Sequence, residues 1–217
     1  VLAAVLDVSF DEDGSGSVSL SGSDVDGDEL TFSITSGTDI TASLSGSDVT
    51  FSAPTDFNGS EVFTISVTDG EYTDTQNITV TVNAVNDIPV ANATSATTNE
   101  DQSAVISLTG SDIDGDALTF SLASDATNGG VVIEGSLATY TPNLDFNGSD
   151  SFTFTASDGE LSSTANVSLT ITAVNDAPVL AAVLDVSFDE DGSGSVSLSG
   201  SDVDGDELTF SITSGTD

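Results

Sequence analysis

The chain has 217 residues, of which 37 are Asp or Glu and none is Lys, Arg or His, so its formal net charge is −37. Because no side chain can neutralise phosphate, nucleic acid is excluded as a partner, and an anionic membrane surface is unattractive for the same reason. No apolar run approaches the roughly 20 residues of a transmembrane helix, so we expect no membrane insertion. Cysteine is absent, so disulfides play no part.

A charge this high would favour disorder if it stood alone. However, hydrophobic residues make up 37% of the chain, and they alternate with polar residues in short runs. We therefore expect a folded acidic protein whose self-repulsion is relieved by bound cations.

Short apolar–polar alternations begin at Leu6 and recur along the chain, separated by clusters of Gly and Asp. Such alternation buries one face of each strand and leaves the other wet, as in an antiparallel sandwich. A weaker segment at residues 40–44 brings the first set to seven strands. No window holds the 3.6-residue apolar stripe of a helix. The predicted fold class is therefore all-β.

Two nested repeats divide the chain. Residues 1–39 recur unchanged as residues 179–217. A looser repeat, at half that offset, aligns an Asp-Phe-Asn-Gly-Ser turn and a Val-Asn-Asp linker in each half. We predict two full modules, 1–87 and 88–176, and the N-terminal part of a third at 177–217. Because that part holds only about three strands, we expect the chain to be a window onto a longer periodic polymer.

An acidic loop marks each module. Residues 23–32 read Ser-Asp-Val-Asp-Gly-Asp-Glu-Leu-Thr-Phe, and near-copies follow at 111–120 and 201–210. Carboxylates at alternate positions before a Gly present hard oxygen ligands, and Ca²⁺ takes about six to eight of these. Closely spaced carboxylates repel one another. Since the chain has no basic side chain, the counter-charge must come from outside the protein.

Two other interpretations of the loop are less favourable. An EF-hand needs a bidentate Glu at the twelfth loop position and flanking helices. That position holds Thr35, Ala123 or Thr213, and the flanks have a strand pattern, so we reject the EF-hand. An ordinary Asp-Gly turn remains the alternative for any single Asp.

Further acid or amide motifs recur in register: a Glu near the first strand, the Asp-Phe-Asn turn, an Asp-Gly-Glu turn and the Asn-Asp linker. Their order resembles the cadherin-like repeat found in tandem in very large bacterial surface adhesins. The resemblance implies seven-stranded Greek-key β-sandwiches, cadherin-like or Ig-like, stacked end to end. It also implies Ca²⁺ bound where one module meets the next.

The resemblance also implies which residues bind the metal. For the first junction these are Glu12, Asp56, Asn86 and Asp87, facing Asp112, Asp114 and Asp158. For the second they are Glu100, Asp145, Asn175 and Asp176, facing Asp202 and Asp204. A junction with a preceding module would use Asp24, Asp26 and Asp69. We expect about one to three ions per junction, because linker and turn carry fewer carboxylates than in animal cadherins. The third Asp of each loop, for example Asp28, has no clear counterpart and is expected to cap the loop.

The favoured function is structural. We expect a Ca²⁺-rigidified extracellular filament or giant-adhesin stalk at a bacterial cell surface, used for attachment or for cell–cell and matrix contact. Its partners are neighbouring copies of the same repeat, in a continuous polymer or a head-to-tail assembly, with an unknown ligand at the tip. The alternatives are an adhesive module that recognises a glycan or protein, and a spacer in a secreted enzyme. Because His, Cys and Lys are absent, we expect no enzyme activity.

Overall fold

The computed structural model describes residues 1–213. The chain divides into two compact units, Val1–Asp87 and Ile88–Asp217. Strands, turns and irregular segments make up the described part of both units. None of the described residues forms a helix long and apolar enough to cross a membrane.

The first unit is a sandwich of two sheets, one with four strands in the order β1-β7-β6-β3 and one with three in the order β2-β5-β4. The β1 strand runs parallel to β7, and the other pairs are antiparallel. This confirms the seven-stranded Greek-key prediction. The strands are β1 (Val8–Asp11), β2 (Ser15–Ser19), β3 (Thr31–Ile34), β4 (Thr41–Ser45), β5 (Asp48–Ser52), β6 (Gly59–Thr68) and β7 (Thr73–Asn83).

The core of this unit lies between the two sheets. Along β6 the buried positions are Phe63, Ile65 and Val67, which alternate with half-buried polar residues. Phe51 of the opposite sheet packs edge-on against Phe63, with ring centroids 5.3 Å apart. Such aromatic pairs add to the free energy gained by burial. The period-two pattern of the sequence therefore places its apolar residues in this core.

The second unit begins with the same arrangement. A four-stranded sheet has the order β12-β15-β16-β9, a three-stranded sheet has the order β10-β14-β13, and β8 pairs with β11. The strands are β8 (Val90–Ala91), β9 (Thr94–Asn99), β10 (Ala104–Ser107), β11 (Gly110–Ser111), β12 (Thr119–Ser124), β13 (Gly129–Glu134), β14 (Leu137–Pro142), β15 (Gly148–Ser157) and β16 (Ser162–Thr172).

The end of the second unit differs from the prediction. Instead of three strands, the described part of residues 177–217 holds one short pair, β17 (Val179–Leu180) and β18 (Gly200–Ser201). In the first unit the identical sequence forms β1, β2 and β3 by pairing with β7, β5 and β6. The chain has a single copy of those partner strands with the same sequence, and residues 1–39 already occupy it. A strand needs its partner, so the apolar alternation alone does not form one here.

Candidate metal centre

The first Asp of each acidic loop organises the loop backbone. Asp24 Oδ1 accepts hydrogen bonds from the backbone N–H groups of Asp26, Gly27 and Asp28, at 2.8, 3.0 and 3.3 Å. Gly27 has a φ of 85°, which glycine adopts without steric penalty. The expectation that Asp28 caps the loop is therefore wrong: its backbone N–H is a donor, and the capping carboxylate belongs to Asp24.

The other two copies of the loop have the same design. Asp112 Oδ1 accepts the N–H groups of Asp114 and Asp116, at 3.0 and 3.3 Å. Asp202 Oδ1 accepts the N–H of Asp206 at 3.3 Å. One carboxylate oxygen of each first Asp is thus used within the loop.

A buried glutamate ties the linker to the sandwich in the second unit. Glu100 is only 3% exposed, and its backbone N–H donates to the Thr172 carbonyl at 3.0 Å. Its Oε1 accepts the Val174 N–H, and its Oε2 accepts the Asn147 side-chain amide at 3.4 Å. Burying a carboxylate is unfavourable unless it is paired or bound to a metal. Glu100 is therefore a positioned ligand candidate.

The first unit repeats this arrangement. Glu12 is 7% exposed, its backbone N–H donates to the Asn83 carbonyl at 3.0 Å, and its Oε1 accepts the Val85 N–H. Glu12 and Glu100 are the two buried charged side chains among residues 1–213.

In each unit the residue after the buried Glu is an Asp with a left-handed backbone. Asp101 and Asp145 have φ angles of 58° and 57°, and the Asp145 N–H donates to Asp101 Oδ1 at 3.1 Å. Asp13 and Asp56 match them in the first unit, with φ of 60° and 56° and a bond of 3.3 Å. Non-glycine residues seldom adopt this conformation, and such strain concentrates at functional sites.

Two acidic groups meet on Asp176 in the linker of the second unit. Carboxylate oxygens of Glu100, Asp176 and Asp204 lie within 4.8 Å of one another, and so do those of Asp101, Asp145 and Asp176. The Asp176 backbone N–H donates to Asp204 Oδ2 at 2.7 Å. Five carboxylates therefore converge on a small volume, with the linker Asp common to both groups.

The electrostatics of Asp176 are unfavourable for a bare carboxylate. Its Oδ2 is buried and accepts no hydrogen bond. Burial raises the pKa of Asp176, and the nearby charges of Asp145, Asp204, Asp101 and Glu100 raise it further. A divalent cation among these oxygens would supply both the missing partner and the missing counter-charge.

The first unit holds a matching group. Carboxylate oxygens of Asp13, Asp56 and Asp87 lie within 4.8 Å of one another. Asp87 is the linker residue, as Asp176 is in the second unit. The two units therefore build the same acidic feature from equivalent positions of the repeat.

Several predicted ligands are therefore brought together: Asp56 with Asp87, and Glu100, Asp145 and Asp204 with Asp176. Others take part in local structure. Asn175 Nδ2 donates to the Asp176 carbonyl at 2.9 Å, and Asn86 Nδ2 donates to the Asp87 carbonyl at 3.4 Å. Both bonds orient the linker.

The Asp that follows β6 in the first unit, and the one that follows β15 in the second, each close a turn. Asp69 Oδ1 accepts the backbone N–H groups of Glu71 and Tyr72, at 2.8 and 2.7 Å. The bond from Tyr72 and then that from Glu71 lower the pKa of Asp69. Asp158 Oδ1 accepts the equivalent pair of N–H groups at 2.6 and 2.7 Å. Of the two oxygens of each carboxylate, one is thus used in the turn.

Asp13 and Asp101 are site residues that were not predicted from the sequence. Each follows the buried Glu directly, and the Glu-Asp pair recurs at 12–13, 100–101 and 190–191. That recurrence was the available signal. The role itself depends on the left-handed backbone and on a turn 43 or 44 residues away.

The fold and these acidic clusters define a class of tandem β-sandwich modules. Residues 1–81 and 86–170 both match a family model described as a bacterial Ig domain. Since the matches cover more than half of the chain, it belongs to the bacterial Ig domain family. A comparison with curated protein sequences gave no significant match.

A solved cadherin structure supports the cadherin-like fold. The EC1-2 fragment of human protocadherin-24 matches with a TM-score of 0.50 and 15% identity, over 72% of this chain and 88% of that one. An endo-fucoidan hydrolase from glycoside hydrolase family 107 matches with 26% identity over 69% of this chain, with a TM-score of 0.35. The chain spans only 24% of the length of that hydrolase. The resemblance to cadherin repeats is confirmed for the fold.

Proposed function

We propose that this chain is a structural repeat of an extracellular bacterial filament or giant-adhesin stalk, and that Ca²⁺ bound at its acidic clusters makes it rigid. Surface attachment and cell–cell or matrix contact are the uses that fit such a rod. Domains of this family are typical of surface and secreted proteins, which supports an extracellular location.

The observation that carries this proposal is the environment of Asp176. Its buried Oδ2 accepts no hydrogen bond, two acidic groups share its carboxylate, and the chain has no basic side chain to balance them. Without a cation this arrangement is repulsive. With a cation bound, the same carboxylates fasten the linker to the sandwich and to the following acidic loop.

The ligand chemistry favours Ca²⁺ over other metals. Every candidate ligand is a carboxylate, an amide or a backbone carbonyl, and the chain has no Cys or His. Oxygen-only sites suit Ca²⁺ and Mg²⁺. Ca²⁺ takes more ligands and tolerates irregular geometry, whereas Mg²⁺ demands near-ideal octahedral geometry. A site assembled from a buried Glu, two strained turns and a loop fits Ca²⁺ better.

Rigidity follows from the same contacts. A cation that binds the folded linker stabilises it by mass action. Since the linker is short and begins directly after β7 or β16, fixing Asp176 fixes the direction in which the chain continues. Neighbouring copies of the same repeat are then the natural partners, either in a continuous polymer or in a head-to-tail assembly.

The test is a Ca²⁺ titration followed by the backbone amide NMR signals of Val174 and Asp176, which report this site alone. Asp101→Asn removes one carboxylate from the group and is expected to weaken Ca²⁺ binding there by about tenfold or more, equivalent to at least about 1.4 kcal/mol. Asp191→Asn is the matched control. Asp191 has the same backbone, with a φ of 60°, but lies outside the acidic groups found among the described residues.

The expected result is a shift of both signals at low Ca²⁺, unchanged by Asp191→Asn and moved to higher Ca²⁺ by Asp101→Asn. The proposal fails if neither signal responds to millimolar Ca²⁺, or if the two variants behave alike.

A further inference from the structure

An Asn-Gly pair lies beside the buried glutamate of the second unit. Asn147 is exposed and lies in the short irregular segment directly before β15. Its Nδ2 donates to Oε2 of the buried Glu100 at 3.4 Å, which is long for such a bond. Asn is a chemically labile residue, and most so before Gly, because no side chain keeps the next backbone nitrogen away from the Asn carboxamide. This pair is therefore a candidate site of modification.

The fold favours glycine after Asn147. Gly148 has a φ of 128°, which glycine adopts far more readily than any other residue. Apart from its chain neighbours, the nearest atom to a Cβ built at Gly148 is Phe146 Cζ, at an ordinary contact distance of 3.7 Å. The backbone of Gly148 therefore has room to approach the Asn147 side chain.

A second Asn-Gly pair in the same unit is held much more firmly. The Asn128 N–H donates to Asp150 Oδ2, and the Asn128 carbonyl accepts the Asn143 N–H, both at 2.8 Å. A Cβ at Gly129 would lie 2.4 Å from the ring of Tyr140, which is fully buried. Asn128 is therefore a natural internal control, with the same two residues in a locked backbone.

The equivalent pair of the first unit is intermediate. Asn58 is exposed, as Asn147 is. A Cβ at Gly59 would lie 3.1 Å from the Phe57 ring, which is closer than the matching contact at Gly148. The three pairs thus rank from Asn147, the most open, through Asn58 to Asn128.

We propose that Asn147 is a site of spontaneous deamidation, and that the carboxylate formed there becomes a further Ca²⁺ ligand beside Glu100. In the first step the Gly148 backbone nitrogen loses its proton to water and bonds to Asn147 Cγ. The Cγ–Nδ2 bond breaks, and the amide nitrogen leaves as ammonia. Water then opens the cyclic imide, at Cγ to give Asp or at the main-chain carbonyl to give isoaspartate. Each route consumes one water and releases one ammonia.

The modification reverses the interaction with Glu100. The amide of Asn147 is a hydrogen-bond donor, whereas the product is a carboxylate that repels Glu100 when no cation is bound. With Ca²⁺ the same carboxylate is an added oxygen ligand, and Ca²⁺ affinity depends on how many charged ligands a site holds. We therefore expect the aged chain to bind Ca²⁺ more tightly. This ligand role rests on the proposed function, but the deamidation does not.

The first measurement follows the deamidation itself, without metal. The full chain is aged with chelator in warm, mildly alkaline buffer made with ¹⁸O-water, and then cut with pepsin. Mass spectrometry of the peptides, with fragmentation that separates Asp from isoaspartate, gives the rate at each Asn. Label should enter at Asn147 at least about tenfold faster than at Asn128, since one backbone is open and the other is locked.

Asn147→Gln is the control for this chemistry. It keeps a side-chain amide, but Gln would have to form a larger ring, so label at position 147 should disappear while Asn128 is unaffected. Label that enters Asn147 no faster than Asn128 would overturn the modification site.

The second measurement is a Ca²⁺ titration followed at the Val174 backbone amide, which donates to Glu100 Oε1. Asn147→Asp places the product carboxylate in every molecule and should move the response to Ca²⁺ concentrations at least about threefold lower. Asn166→Asp adds the same charge at an exposed position of β16 and should leave the response unchanged. Equal responses of the two variants would overturn the ligand role.

The two measurements separate this inference from the proposed function. If Val174 ignores Ca²⁺ both in the unchanged chain and in Asn147→Asp, the proposed function fails and the ligand role fails with it. The labelling of Asn147 relative to Asn128 then still decides the modification site, because it is measured in chelator.

Discussion

Residues 1–39 and 179–217 have the same sequence and different structures. In the first copy Val8–Asp11 is a strand and Phe10 is 8% exposed. In the second, residues 186–189 are not a strand and Phe188 is 63% exposed. The local sequence cannot explain the difference. It comes from the partner strands β5, β6 and β7, which only the first copy meets.

Other features are the same in both copies. Asp13 and Asp191 both have a φ of 60°. The Ala3 N–H donates to the Ser21 carbonyl, and the Ala181 N–H donates to the equivalent Ser199 carbonyl, both at 2.9 Å. These features rest on nearby residues. The comparison therefore separates what the sequence encodes locally, the turns and the acidic loop, from what requires distant strands.

The largest expected effect comes from removing the same aromatic ring from each copy. Phe10→Ala should destabilise the first unit by about 3–5 kcal/mol, because it empties a packed core position. Phe188→Ala should change unit stability by less than about 0.5 kcal/mol, as an exposed substitution does. Native-state hydrogen exchange at Phe63 and Phe154 reports each unit separately. Equal effects of the two variants would break the comparison.

A smaller contrast is expected at a glycine. A Cβ at Gly16 would lie 2.6 Å from both Phe10 Cδ1 and Val8 Cγ1, which are held in the core. Gly16→Ala should therefore cost about 1–3 kcal/mol. At Gly194 the added Cβ would lie 2.3 Å from Val186 Cγ1, but that side chain is exposed and can move.

Urea denaturation of Gly16→Ala followed at Phe63, and of Gly194→Ala followed at Phe154, measures this contrast, because Gly194 belongs to the second unit. Gly194→Ala should leave the midpoint unchanged. A loss of stability in the second unit from Gly194→Ala would show that Val186 and Phe188 are held more firmly than their exposure indicates.

The next largest effect is expected from acid, because the Glu61 carboxylate holds the last residues of the first copy by hydrogen bonds. Glu61 accepts the backbone N–H groups of Asp39 at 2.7 Å and Thr38 at 3.0 Å. The bond from Asp39 lowers the pKa of Glu61, partial burial opposes this, and the Thr38 and Ile40 N–H groups add to the lowering. A lowered folded pKa gives stability that is present above the unfolded pKa and is lost as pH falls through the folded value.

We therefore expect Glu61→Gln to lower first-unit stability by about 1 kcal/mol at neutral pH and to flatten its decline in acid. Glu71→Gln, at an exposed position of the same unit, is the control and should leave both unchanged. Denaturation midpoints between neutral and acidic pH test this. If the stability of Glu61→Gln declines in acid as steeply as that of the unchanged chain, the role given to Glu61 is wrong.

The smallest expected effect is on how the stability of the second unit changes with pH, and its sign depends on whether Ca²⁺ is bound. The pKa of Asp176 is raised by burial and by the carboxylates around it. Without metal the folded state holds this proton more tightly, so stability should rise as pH falls through the raised folded pKa. With Ca²⁺ bound the sign should reverse, because protons must then displace the cation.

Denaturation of the second unit in chelator and in Ca²⁺, followed at Phe154, gives both slopes. Asp176→Asn should flatten both. Slopes of the same sign in the two conditions would contradict the cation site.

Part of this structure could be predicted from the sequence. The alternation at Phe63, Ile65 and Val67 indicated a half-buried strand, and the repeat showed which acids would be equivalent. Asp56 and Asp87 were indicated by the resemblance to the cadherin-like repeat, in which the acidic turn and the Asn-Asp linker of one module bind the same metal. Their grouping needed no knowledge of side-chain conformation.

The rest depended on distant contacts. The part played by Asp13 rests on a left-handed backbone and on a bond from the Asp56 N–H, and neither has a pattern in the sequence. The loop cap was assigned to Asp28 rather than Asp24, because spacing does not show which carboxylate turns inward. The strands predicted in residues 177–217 are largely absent from the described part of that segment, because β5, β6 and β7 pair with the identical residues of the first copy.

The most direct measurement is a crystal structure of the chain grown with Ca²⁺, with anomalous data to locate the ion. The account predicts a peak at about 2.3–2.6 Å from a carboxylate oxygen of Asp176, within reach of Glu100 and Asp145. An ordered Asp176 that faces solvent at saturating Ca²⁺, with no peak beside it, would contradict the account.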